Sequence, residues 1–223
     1  MRNKCKILFV LLIGILMLNG CGISELLGGM VSQKEAGGDA LLESASYDYL
    51  EGDYESALEK LLKAEIVGVS DEKKMVDLYS VTGNTYLELD DYEMAIAYHE
   101  KALTLEPDSV ICVVNLAVSH RKNGDMDKAK ELYMKGLEID PEYAELNSSL
   151  GSLYILENEP EKAIEYFEKA IKLDDNLAVA YANGALAYAM IGDLETADDY
   201  LNKAIVRGYD NTENLKELIE QFR

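Results

Sequence analysis

Residues 144–177 read AELNSSLGSLYILENEPEKAIEYFEKAIKLDDNL, and the same pattern returns every 34 residues. One alanine marks the period in four successive copies, at Ala95, Ala129, Ala163 and Ala197. A fixed period of this length is typical of a repeat array in which each copy is one supersecondary unit. The sequence therefore predicts four regular units, at 76–109, 110–143, 144–177 and 178–211.

Other columns of the period predict two helices and a turn in each copy. Small residues, which let two helix axes approach closely, recur at Gly83, Ala117, Gly151 and Ala185 and again at Ala102, Gly136, Ala170 and Ala204. Residue types that tolerate a left-handed backbone recur at Asp90, Gly124, Asn158 and Gly192, where we expect the first helix to end. Prolines favour a helix start at 160 and helix ends before 107 and 141.

These columns resemble the tetratricopeptide repeat, whose pattern is approximately W-x2-L-G-x2-Y, then A-x3-F, A and P. The third copy supplies Leu150-Gly151-x2-Tyr154, Ala163-x3-Phe167 and Ala170. The chain departs from the pattern because it has no tryptophan, and His99 and His120 stand where aromatic residues are expected. The resemblance implies an all-α fold, a right-handed superhelix of about five helical hairpins with a C-terminal capping helix.

The two ends of the array differ from its regular copies. Residues 39–75 predict a divergent N-terminal capping hairpin, with its turn at 52–54 and Asp48 in the place of the tyrosine. Terminal repeats are often atypical because one of their faces meets solvent. In residues 212–223 a helical stripe predicts the capping helix, and it consists of Leu215, Leu218, Ile219 and Phe222.

Residues 1–20 have the pattern of a secretory signal rather than of the fold. Arg2, Lys4 and Lys6 precede an apolar run at 7–18, which is shorter than the ~20 residues of a membrane span. The following Leu18-Asn19-Gly20-Cys21 resembles a bacterial lipoprotein cleavage box. That resemblance implies lipidation of Cys21, so that residues 21–38 form a lipidated N-terminus and a flexible glycine-containing tether.

The lipoprotein hypothesis also predicts a location in the cell. Two or more acyl chains anchor a protein stably. The array would then stand on the extracytoplasmic side, at the outer face of the cytoplasmic membrane or at an outer membrane. An ordinary signal peptide, or a membrane anchor with an incidental cysteine, is the alternative.

Composition excludes several classes of partner and chemistry. The chain has 42 acidic and 21 basic residues, a net charge of −21, which disfavours nucleic acid and anionic lipid headgroups. It has no paired-histidine metal motif, no glycine-rich phosphate loop and no G-x-S-x-G. We therefore expect no enzyme activity, no catalytic or metal-binding residues, no cofactor and no small-molecule substrate. Cys112 is the only cysteine beyond Cys21, which precludes an intrachain disulfide in a lipidated chain.

The family resemblance implies a groove lined by the first helix of each hairpin. The residues at its ligand-contacting positions are Asn84, Asn115, Val118, Arg121, Lys122, Ser149, Ser152, Asn183 and Leu186. Asparagine amides can both donate to and accept from a peptide backbone, although exposed helix positions often carry Ser and Asn for no specific purpose. The family's two-carboxylate clamp is not expected, because Ser80, Glu145 and Ser149 occupy its lysine positions.

Two hypotheses of function follow. In the first, the chain is a membrane-tethered module that binds a protein or an extended peptide in its groove. In the second, it is a structural assembly factor of an envelope complex, such as pilus, secretion or cell-wall machinery, and acts through its outer faces.

Overall fold

A computed structural model describes the backbone of residues 22–223 and the side chains from residue 37 onward. Residues 1–20 and Cys21, with the predicted signal and lipidation site, lie outside this part. All eleven regular elements in residues 22–223 are helices: α1 (Gly22–Glu51), α2 (Tyr54–Val67), α3 (Glu72–Glu88), α4 (Tyr92–Leu105), α5 (Val110–Asn123), α6 (Met126–Ile139), α7 (Ala144–Leu156), α8 (Pro160–Leu173), α9 (Ala178–Met190), α10 (Leu194–Val206) and α11 (Thr212–Glu220). The predicted all-α architecture of hairpins with a closing helix is confirmed.

The chain divides into two compact units, the first ending at Leu89 and the second beginning at Asp90. Helices α1 to α3 belong to the first unit, and α4 to α11 belong to the second. The predicted repeat 76–109 therefore contributes one helix to each unit.

The turn column has the backbone that its composition predicts. Asp90 and Asn158 have φ of 59° and 58°, and Gly124 and Gly192 have φ of 90° and 83°. In each case the next helix begins two residues later. Pro160 is the first residue of α8, where a missing N–H costs nothing.

The first unit differs from the sequence prediction at its beginning. Residues 22–38 belong to α1 and are helical, where the glycine pairs predict a flexible tether. Gly38 has another role: a Cβ there would lie 1.8 Å from the carbonyl oxygen of Gly68. Glycine is needed at this position because the helix and the loop after α2 approach each other backbone to backbone.

Asp48 joins the two helices of the first hairpin. Its carboxylate lies 2.6 Å from Lys60 Nζ and accepts a 2.5 Å hydrogen bond from Ser56 Oγ, both on α2. The hydrogen bond from Lys60 is the largest cause that lowers the pKa of Asp48. The departure from tyrosine at this position thus replaces ring packing with a polar contact, beside a core that includes Leu42, Leu61 and Leu78.

The second unit buries the small-residue columns between its helices. Ala129, Ala163 and Ala197 are fully buried, and Phe167 fills the space beside Gly151, where a Cβ would lie 2.7 Å from the ring. The final helix buries fewer residues of its apolar stripe than the sequence predicts. Leu215 and Ile219 are buried, but Leu218 and Phe222 are each 43% exposed, because α11 packs one edge against α9 and α10.

No helix within residues 22–223 combines the length and the apolar content that a bilayer crossing requires.

Candidate functional site

An open cavity of about 460 Å³ lies on the second unit, on the side formed by α5, α7 and α9. These are the first helices of three successive hairpins, so the 34-residue period brings equivalent positions to the same face. The volume lies within the ~300–1,000 Å³ that is usual for ligand sites. The lining residues are Arg121, Glu145, Ser148, Ser149, Ser152, Ile155, Leu156, Val179 and Asn183.

A chain of hydrogen bonds crosses the middle of the cavity. Asn183 Nδ2 donates to Ser152 Oγ at 3.0 Å, and this hydroxyl donates to the carbonyl oxygen of Ser148 at 2.9 Å. The chain joins α9 to α7 and fixes the orientation of the carboxamide. The Oδ1 atom of Asn183 is left to accept from a bound group, as an amide carries both donors and an acceptor.

The rims of the cavity are apolar and charged. Leu156 is 64% exposed and Val179 is 42% exposed, which are high values for aliphatic side chains. Arg121 is half-buried in the last turn of α5, and Glu145 is exposed in the first turn of α7. The surface therefore offers one cation, one anion, apolar contacts and a polar centre.

Models of the tetratricopeptide repeat family match this chain over residues 76–109 and 109–176. The chain is a tetratricopeptide repeat protein. Its second unit carries the cavity on α5, α7 and α9.

Among curated proteins, the chain is similar to uncharacterized protein ycf37 of Guillardia theta, at 32% identity over 70 residues. That match covers 31% of this chain and 39% of ycf37. The chain spans 39% and 12% of the lengths of the first two curated relatives it matches.

Solved structures share the fold at lower identity. The thermophilic tetratricopeptide protein TTC0263 of Thermus thermophilus superposes with a TM-score of 0.65 at 19% identity, over 83% of this chain and 98% of its own. The pilF protein of Pseudomonas aeruginosa superposes with a TM-score of 0.68 at 17% identity, over 85% and 90%. These likenesses show a common tetratricopeptide fold.

Of the predicted groove residues, the cavity brings together Arg121, Ser149, Ser152 and Asn183. Asn84 lies on α3 in the first unit, whereas the cavity lies on the second. Asn115, Val118, Lys122 and Leu186 are outside the cavity lining.

The residues outside the lining have identifiable surroundings. Val118 packs against the buried cluster of α5 to α7, and Leu186 packs against the cluster of α9 to α11. Both side chains gain by burial, so they lean into the core, whereas the small Ser152 at the same repeat position faces the cavity. Lys122 is exposed, and the backbone carbonyl of Asn115 accepts a 3.0 Å hydrogen bond from Ser119 Oγ.

Sequence reasoning considered Glu145 only at a clamp position and did not mark Val179. These two residues share the second position of their repeats, and the same position holds Ile111, which is 61% exposed. An apolar or charged residue directly after each helix start was the available signal. Ser148, Ile155 and Leu156 of α7 complete the lining, and all three stand at positions that the family resemblance assigns to the groove.

The histidines of this repeat protein make structural contacts. His99 is fully buried, with Nδ1 at 2.7 Å from Ser119 Oγ. His120 Nδ1 lies 3.2 Å from Asp125 Oδ2, and hydrogen bonds from Asn123 and then His120 lower the pKa of Asp125. Residues 37–223 contain no group of three potential metal ligands, and Cys112 is buried.

Proposed function

We propose that the chain is a scaffold anchored to the extracytoplasmic side of a membrane, where its cavity on α5, α7 and α9 holds a peptide segment of a protein partner. Scaffolding of protein–protein interactions is the common role of tetratricopeptide arrays. Their repeated helices build extended binding surfaces.

The observation that carries this proposal is the ordered polar centre between apolar rims. An extended peptide presents backbone donors and acceptors at regular intervals. Asn183 is held in position by Ser152 and needs no further ordering before it pairs with such a backbone. Leu156 and Val179, exposed on either side, gain by burial under apolar side chains of the partner.

The anchor is a separate part of the proposal. A net charge of −21 disfavours adsorption of the array to anionic headgroups, so attachment is assigned to lipid on Cys21. Residues 22–38 of α1 would then stand between the lipid and the hairpin, and 17 helical residues span about 25 Å. Their helical backbone supports a spacer of defined length.

Capture of partners from the cell envelope by the full-length chain tests the cavity. N183A and S152A should each weaken capture about three- to tenfold, the equivalent of one hydrogen bond of ~1 kcal/mol. N115A is the matched control, because Asn115 lies on the same repeat position as Asn183 but does not line the cavity. Undiminished capture by folded N183A and S152A proteins would favour the alternative function, assembly of an envelope complex through the outer faces.

Membrane fractionation tests the anchor independently. C21S should move the protein from the membrane fraction to the soluble fraction, because no lipid can then be attached at residue 21. A C21S protein that stays with the membrane would contradict lipidation and leave the cavity proposal intact.

A further inference from the structure

The two charged residues of the cavity lie at opposite ends of its helices. Arg121 is in the last turn of α5, and Glu145 is in the first turn of α7. Because α5 and α7 begin one 34-residue period apart, Glu145 is level with Ile111, ten residues before Arg121. Ten residues of α-helix rise about 15 Å. The cavity therefore has an acidic end and a basic end.

Neither charge has an ion-pair partner among residues 37–223. On the same hairpins, the ion pairs join other residues, such as Lys130 and Glu157 at 2.6 Å and His120 and Asp125 at 3.2 Å. Their offset of about 15 Å along the helix axes exceeds the screening length of ~8 Å at physiological salt. Each side chain therefore presents its charge to whatever occupies the cavity.

Contacts between the two ends suit an extended chain. At the acidic end, Val179 occupies the same repeat position as Glu145. At the basic end, Leu156 lies one residue after the repeat equivalent of Arg121. Ser152 and Asn183 lie between them. A strand rises about 3.3 Å per residue and turns alternate side chains to one face. Residues i and i+4 of a strand thus face the same way and lie about 13 Å apart. The length of their side chains makes up the difference from the offset of about 15 Å between Glu145 and Arg121.

We propose that the occupant is an extended peptide segment with one basic and one acidic side chain four residues apart. The basic group pairs with Glu145 and lays its aliphatic stem on Val179, as long cationic side chains do on apolar surface. The acidic group pairs with Arg121, and the residue midway faces Ser152 and Asn183. This specificity rests on the proposed peptide-binding function and adds a charge order to it.

Selection from a phage-displayed library of random nine-residue peptides on the full-length chain tests the inference. The enriched sequences should carry Lys or Arg and Asp or Glu four positions apart, in one preferred order. The double variant R121E/E145R should enrich the opposite order. K122E is the control, because Lys122 adjoins Arg121 without lining the cavity, and it should enrich the wild-type sequences.

The outcomes separate this inference from the function on which it rests. Peptides enriched without the charge pair, or the same order on wild type and R121E/E145R, would overturn the charge pairing while peptide binding stands. Enrichment of no peptide on the wild-type chain would overturn both.

Single variants cover the case of a double variant that does not fold. R121Q and E145Q should each lower the affinity of the selected peptide two- to fivefold, as expected for one exposed ion pair, measured by fluorescence anisotropy. Neither should change the affinity of the peptide whose charged residues are replaced by glutamine, and equal losses for both peptides would overturn the pairing.

Discussion

Replacement of Gly151 by alanine should destabilise the protein, although alanine favours helix. An added Cβ would lie 2.7 Å from Cε1 and 2.9 Å from Cδ1 and Cζ of Phe167. These distances are well inside the ~3.5–4.0 Å of an optimal carbon–carbon contact. The ring is fully buried and has no space to withdraw into solvent.

Two opposing effects determine the size of the change. Alanine gains about 1 kcal/mol over glycine in a helix interior. Overpacking of a rigid core costs about 1–3 kcal/mol, and three ring atoms within 3 Å place this site in the upper half of that range. We expect G151A to lose about 1–2 kcal/mol of unfolding free energy. In an F167L background the smaller side chain relieves the contact, and G151A should be neutral or stabilising by up to about 1 kcal/mol.

Urea denaturation followed by far-ultraviolet circular dichroism measures all four proteins of this double-mutant cycle. The next repeat supplies the matched control, since Ala185 holds the position of Gly151 and Leu201, in the same buried cluster, holds the position of Phe167. A185G should lose about 1–2 kcal/mol through the missing methyl group and the weaker helix propensity. A G151A protein more stable than wild type, or equal effects of G151A in both backgrounds, would refute the packing argument.

Further predictions concern a turn, a carboxylate and a helix cap. Asn158 has φ of 58°, so N158A should lower the free energy of unfolding by about 1 kcal/mol while N158G leaves it unchanged. Equal denaturation midpoints for the two variants would contradict this. The pKa of Asp48 is lowered in the folded state, so its stabilisation is complete above its unfolded pKa of about 4 and is lost as the pH falls through the lower folded value. D48N should therefore flatten the loss of stability below pH 4 in urea titrations, and an unchanged slope would exclude this contribution. Asp193 caps α10 by accepting from Thr196 N at 3.1 Å and Thr196 Oγ at 2.7 Å, so D193A should cost about 1 kcal/mol. Hydrogen exchange in α10 should accelerate, and unaltered protection there would show that the cap is dispensable.

The period predicted those features that depend on backbone geometry and volume. Asp90 and Asn158 could be assigned to left-handed turns because they alternate with Gly124 and Gly192 in one column. The buried alanines follow for the same reason, since a column that stays small in every copy lies where helices are in contact.

The helical backbone of residues 22–38 differs from the predicted tether because glycine has two uses. Gly37 and Gly38 indicate flexibility when only neighbours in sequence are considered. The structure uses Gly38 for a close approach to Gly68, thirty residues away, and no local pattern contains that information.

The site could be predicted only in part because side chains at the same repeat position can have different surroundings. Ser152 and Leu186 occupy equivalent places, but the serine faces the cavity and the leucine packs into the core. Burial of an apolar side chain is decided by its neighbours across the helix interface. Glu145 and Val179 lie one residue after a helix start, a position that the resemblance marked only for a clamp lysine that this chain lacks.

Site-specific photo-crosslinking in the cell envelope tests the central claim most directly. A benzophenone amino acid replaces Ser149, which lines the cavity, or Glu161, which is exposed on α8 away from it. The account predicts a discrete protein adduct from position 149 that R121Q diminishes, and none from position 161. Adducts from position 161 and none from position 149 would contradict binding in the cavity and place the partner on the outer helices.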